Sequence, residues 1–188
     1  EDGYTVKKKG LGNDSGNIIA KLGNEIFMYE FAPKYYKNTV LISAGMNACE
    51  LSGIFGLAYF IKALMEQQEE GMIALRNTTR FVIIPCICPS CLNSSPIKYA
   101  NYNGVKINKN FNYNNSWAKI KETYSYEPVG EYPDSEVETQ MLKKWINDYT
   151  GAALWIDCHS DTWNTGYTNV MAQGICSDSA TSNSIKLY

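Results

Sequence analysis

His159 is the only histidine in the 188 residues. A lone imidazole excludes any metal site built on two histidines and makes any Ser/His/Asp relay depend on one ring. A lone histidine is more often structural or solvated, but its setting raises the case for chemistry. Asp157 and Asp161 flank it at the end of the apolar run Ala152–Asp157. Glu50 has a comparable setting. It follows the apolar run Thr39–Gly45 and opens a helical pattern, where the helix dipole favours a carboxylate. Two acid-bearing strand ends, more than a hundred residues apart in sequence, could meet on one rim of a sheet. Such a rim suits metal ligation or proton transfer.

The six cysteines include the cluster Cys86-x-Cys88-x-x-Cys91. A structural zinc needs a fourth ligand and usually a second paired motif, and neither is visible. Several cysteines lie in apolar runs of a chain long enough to form a real core, so free, buried thiols are expected.

The elements that must position these groups alternate in type. Asn17–Leu22 and Glu25–Phe31, joined by Gly23-Asn24, read as a hairpin. Thr39–Gly45 reads as a strand buried on both faces, and Thr79–Cys88 as another, closed by Pro89. Between them, Leu51, Ile54, Phe55, Ala58, Tyr59, Ile61, Leu64 and Met65 recur at helical spacing up to the charged stretch Gln67–Gly71. Leu92–Trp117 is polar, rich in asparagine and aperiodic, which marks a functional or mobile segment. Pro133–Tyr149 reads as a helix with Ser135 as N-cap and Glu138 completing a capping box. Ala152–Cys158 is a third buried strand. Strands alternating with helices predict an α/β domain with a mixed, largely parallel central sheet flanked by helices.

Length and composition fit one globular domain spanning residues 1–188, with 45% hydrophobic and 19% charged residues. The net charge of −2 gives no basic field to attract nucleic acid or an anionic membrane, so neither is expected as a partner. No apolar run reaches the roughly 18 residues of a membrane-spanning helix. The chain begins at Glu1 without a signal-peptide pattern, and no compartment follows from it.

Four segments, in order, resemble the zinc carboxypeptidase family of carboxypeptidase A-like metallopeptidases. Leu41–Glu50 is similar to the family's strand followed by G-x-H-x-x-E. Asn101–Phe111 is similar to N-x-x-G-V-D-L-N-R-N-F. Pro133–Gln140 is similar to P-x-S-E-x-E-T-Q, and Leu154–Ser160 to a strand ending in D-x-H-S. The resemblance implies the α/β carboxypeptidase fold and a Zn²⁺ held by two His and one Glu, with an open position for water. It also implies a separate general-base Glu, an oxyanion-stabilising Arg, and an Asn-Arg pair gripping the terminal carboxylate of a peptide.

Carried over residue by residue, Glu50 matches the Glu ligand and His159 the second His ligand. Asn47 replaces the first His, and a neutral amide is a much weaker donor for zinc, so a weakened zinc site is expected. Asn108 matches the carboxylate-binding Asn. Lys109 replaces its Arg partner and keeps the charge without the bidentate fork. Tyr99 stands where the oxyanion Arg is expected, beside Lys98, and Lys106 replaces the motif Asp. After Ser160 the only acidic residues are Asp161 and Asp178, so no Glu matches the general base, and the chain reads as lacking the C-terminal part of the fold. These departures imply a non-catalytic module for peptides or other carboxylate-bearing ligands. The alternative is an active metallocarboxypeptidase or related zinc hydrolase whose general base lies beyond Tyr188. An unrelated α/β protein would instead hold Glu50 and His159 apart.

Overall fold

The computed structural model describes residues 4–16, 24–161 and 169–176. Six strands form one sheet: β1 (Thr5–Asn13), β2 (Glu25–Ala32), β3 (Asn38–Ala44), β4 (Thr79–Ile84), β5 (Leu154–Asp161) and β6 (Asn169–Cys176). Their order is β1-β2-β4-β3-β5-β6. The centre, β4-β3-β5, is parallel, and antiparallel neighbours extend it on both sides. This is the mixed α/β sheet expected from the alternation of elements.

Successive residues of a strand point to opposite faces. In β3 and β4, Leu41, Val82 and Ile84 enter one core cluster, while Ile42, Ala44, Phe81 and Ile83 enter the other. Both faces are therefore covered, which explains why these strands read as unbroken apolar runs. Helix α1 (Leu51–Glu66) supplies Ile54, Leu57 and Leu64 to one cluster. Helix α5 (Val137–Asp148) supplies Leu142 and Trp145 to the other. Among the described residues no helix is long and apolar enough to cross a membrane.

Several expectations shift. Of the expected hairpin, the arm Asn17–Leu22 lies outside the described residues. The arm that pairs with β2 is Thr5–Asn13, with a bulge between Gly10 and Gly12. It is exposed almost throughout, so no apolar pattern announces it. Strand β4 stops at Ile84 rather than Cys88. Beyond it, the Ile87 and Cys88 amides donate to Ala44 and Gly45 carbonyls, 3.0 and 3.2 Å away, and draw the chain onto the rim after β3. A further helix, α2 (Glu70–Thr78), follows α1. Its Arg76 guanidinium donates to the carbonyls of Leu64 and Gln67, which α1 leaves open at its C-terminus.

Helix α5 begins at Val137, not Pro133, with Glu136 as N-cap and no side-chain cap. Ser135 Oγ donates instead to Glu136 (2.7 Å), and Glu138 faces inward. The expected capping box therefore does not form. The aperiodic segment Leu92–Trp117 is built from the short helix α3 (Pro89–Leu92), turns, and a 3-10 turn at Ile107–Lys109, ahead of α4 (Trp117–Thr123). Cys88 and Cys91 are buried in the core as free thiols. Burial raises the thiol pKa of Cys86 to about 12 and that of Cys88 well above its ordinary value. Both stay protonated near neutrality, which suits packing rather than metal binding.

Candidate metal and carboxylate site

The rim where Glu50 meets His159 is set by backbone geometry. Gly45 ends β3 at φ +71°, with Cys86 Cα only 3.2 Å from where a Cβ would stand. The chain turns there through Asn47 and Cys49 into α1. At Gly53, in the first turn of α1, a Cβ would lie 2.7 Å from the Cys158 carbonyl oxygen. Only glycine lets α1 approach β5 this closely. That approach carries Glu50 to the C-terminal end of β5.

Glu50 is buried, and its carboxylate takes three N–H partners. Asn47 Nδ2 donates to Oε1 at 2.8 Å. His159 Nδ1 lies 2.8 Å from Oε2, and the Ser160 amide donates to Oε2 at 3.1 Å. The other ring nitrogen, His159 Nε2, lies 2.7 Å from Asp157 Oδ2. Each ring nitrogen thus faces a carboxylate oxygen, the arrangement that a charged imidazolium would take. Burial works against that charged ring, but the hydrogen bonds and negative charges of Asp157 and Glu50 outweigh it and raise the His159 pKa to about 10. Behind Asp157, Ser43 Oγ donates to Oδ1 at 2.7 Å, and Trp155 Nε1 donates to Ser43 Oγ at 2.9 Å.

The structure thus brings Asn47, Glu50 and His159 together. Tyr99 joins them, its hydroxyl 3.5 Å from Asn47 Nδ2. Lys106 Nζ lies 4.7 Å over the Tyr99 ring and 2.9 Å from Glu127. Lys109 also pairs with Glu127, and its ammonium lies 3.6 Å over the Tyr124 ring. Burial, then the neighbouring Lys106 charge, lowers its pKa. Two ammonium groups share one carboxylate, leaving one net positive charge. Asn108 is exposed on the same 3-10 turn as Lys109.

The segment bearing Lys109 is anchored from below. Asn101 Nδ2 donates to Glu136 (2.8 Å) and Glu138 (3.1 Å), while Asn110 donates to the Val129 carbonyl (2.9 Å) and Ser135 Oγ (3.0 Å). Asn101, Asn110 and Glu138 are fully buried.

Ser43 and Glu127 were not foreseen. Ser43 had a signal, since it is the one hydroxyl residue inside the run Val40–Ala44, and parallel register places it opposite Asp157. Glu127 had none, because nothing in its local sequence ties it to two lysines upstream.

A zinc ion requires lone pairs converging at about 2.0–2.2 Å. Here Asn47 turns its N–H₂ towards Glu50, while its buried Oδ1 has no hydrogen-bond partner among the described residues. His159 and Glu50 face each other directly. Among the described residues no group of three or more His, Cys, Asp or Glu is arranged to hold a metal ion. The residues as placed do not fit zinc.

The family model for zinc carboxypeptidase matches residues 22–169, which include every residue of this site. No curated protein matches the chain significantly. Among solved structures, carboxypeptidase A from Helicoverpa armigera superposes with a TM-score of 0.68 at 21% identity, over 84% of this chain and 41% of that one. Bovine thrombin-activatable fibrinolysis inhibitor, solved with a tick carboxypeptidase inhibitor, gives 0.62 at 18% identity, over 84% and 54%. A metallo-carboxypeptidase from Burkholderia cenocepacia gives 0.59 at 17%, over 85% and 37%. The chain spans about two fifths to one half of the length of these structures, and the likeness establishes the shared fold. With the family model covering most of its length, the chain belongs to the zinc carboxypeptidase family.

Proposed function

We propose that this domain binds the carboxylate end of a peptide, or a comparable small carboxylate, and does not hydrolyse it. The supporting observation is the side chain of Asn47, which stands at the first metal-ligand position and spends its N–H on Glu50. Without a tightly held metal there is no acidified water and no Lewis acid at the scissile carbonyl, and most of the barrier lowering is lost. The Lys106–Glu127–Lys109 group carries one net positive charge, and Tyr99 links it to the rim, so attraction for a carboxylate persists.

Calorimetry with an N-acylated dipeptide and with its C-terminal amide tests this. The acid binds, the amide does not, and no C-terminal amino acid is released in excess zinc. Release of that amino acid, or equal binding of the amide, overturns the reading. The convergence of Glu50 and His159 favours a second reading, in which a metal is recruited and a general base comes from outside the described residues. Zinc-dependent hydrolysis would select it.

A further inference from the structure

We infer that the Glu50 rim is a hydrogen-bonded clasp, closed without an ion, that fastens the start of α1 to the end of β5. The inference rests on the proposed reading of Asn47 as a lost metal ligand. It goes further by assigning the remaining residues a mechanical task.

Helix α1 has no side-chain cap on its first turn, which is held locally only by backbone bonds such as the Gly53 amide to the Glu50 carbonyl, 3.2 Å. Its N-cap, Glu50, makes no side-chain cap bond, and no acidic residue stands in the first turn. The Glu50 carboxylate reaches instead across to β5, where it accepts from the Ser160 amide and meets His159. A buried carboxylate is tolerated only if its lone pairs are matched. The Asn47 side-chain amide and the Ser160 backbone amide donate to it here, and His159 Nδ1 lies 2.8 Å from the same carboxylate.

The bonds close a ring through the sheet. From Ser43 in β3 the chain passes through Asn47 to Glu50. From Glu50 hydrogen bonds lead to His159, to Asp157, and back to Ser43, with Trp155 bonded to the same hydroxyl. Both ends of the connection between β3 and α1 are thereby tied to β5. The Gly53 contact with the Cys158 carbonyl presses the same two elements together one turn further on. With the Glu50 carboxylate already committed to these partners, the ring gains nothing from zinc.

The test compares wild type, Glu50→Gln and the milder Asn47→Ala by thermal unfolding and by hydrogen exchange at the Ser160 amide, in excess EDTA and in excess zinc. The wild-type Tm is expected to be the same in both. Glu50→Gln lowers Tm by roughly 5 °C in EDTA. It also speeds Ser160 exchange at least ~10-fold, because that amide loses its charged acceptor. Asn47→Ala moves both in the same direction by less. If zinc raises the wild-type Tm by several degrees, a metal is held and the reading of Asn47 fails. If zinc does nothing and neither variant changes Tm or Ser160 exchange, the clasp alone is overturned.

Discussion

Two parts of the family pattern have fared differently in this chain. In the scaffold under the Asn-rich segment, Asn101, Asn110, Ser135, Glu136 and Glu138 all match the pattern, and each makes hydrogen bonds to its neighbours. In the chemical rim, Asn47, Tyr99, Lys106 and Lys109 all depart from it. The scaffold residues are polar groups in the interior, where losing one partner strands another. The rim positions are held by fewer buried partners, and on the function proposed above their replacement costs chemistry rather than folding. The difference teaches that a family motif can persist because it holds a loop in place, after the residues that used the loop have changed.

That comparison breaks most visibly if the scaffold proves dispensable. Glu138→Ala should destabilise the domain by about 3 kcal/mol, since it empties a fully buried position, leaves the half-buried Ser15 amide without its acceptor and leaves Asn101 Nδ2 with Glu136 alone. Urea unfolding measures it. A loss under about 1 kcal/mol, the size of an ordinary surface change, would mean the motif is not held by folding.

The rim predicts the reverse, a gain from restoring chemistry. Asn47→His should raise zinc affinity at least ~100-fold, about 2.7 kcal/mol, by replacing an amide with an imidazole beside Glu50 and His159. Calorimetry at neutral pH reads this directly. An unchanged affinity would mean that position 47 does not point to the ligand position and that the alignment of rim residues is wrong.

Between the two lies the contact that brings them into register. Gly53→Ala places a methyl group 2.7 Å from the Cys158 carbonyl oxygen, so α1 must shift away from β5. A helical alanine would otherwise stabilise by up to about 1 kcal/mol. A net loss of about 1–2 kcal/mol in urea unfolding is expected instead.

The sequence carried the sheet and most of the rim, and the reasons are local. Val40–Ala44 and Phe81–Ile84 are apolar because both faces are covered, so their strands are legible without any partner. Glu50 and His159 stood out as acid and base at strand ends. Strand β1 was hidden because its exposed lysines and glycines carry no period. Ser135 and Glu138 imitated a capping box because the spacing is the same whether Glu138 turns back to its own helix or inward to Asn101. The pairing of Lys106 and Lys109 with Glu127 depends on how the Asn-rich segment folds back, which side-chain bonds to Glu136 and Glu138 decide.

The smallest expected effect separates the two regions most sharply, because it should touch binding and spare the fold. Lys109→Ala removes one of the two ammonium groups on Glu127 and leaves Lys106 to pair with it alone, so the net positive charge of the group disappears. The pairs are partly exposed, and partly exposed ion pairs contribute little to stability, so unfolding should change by less than about 1 kcal/mol. A ligand carboxylate would lose one charge-assisted contact, and its affinity should fall roughly 5-fold. Titration of wild type and variant with the same N-acylated dipeptide decides it. A large loss of stability with unchanged affinity would move Lys109 into the scaffold and leave the rim without an anchor for its ligand.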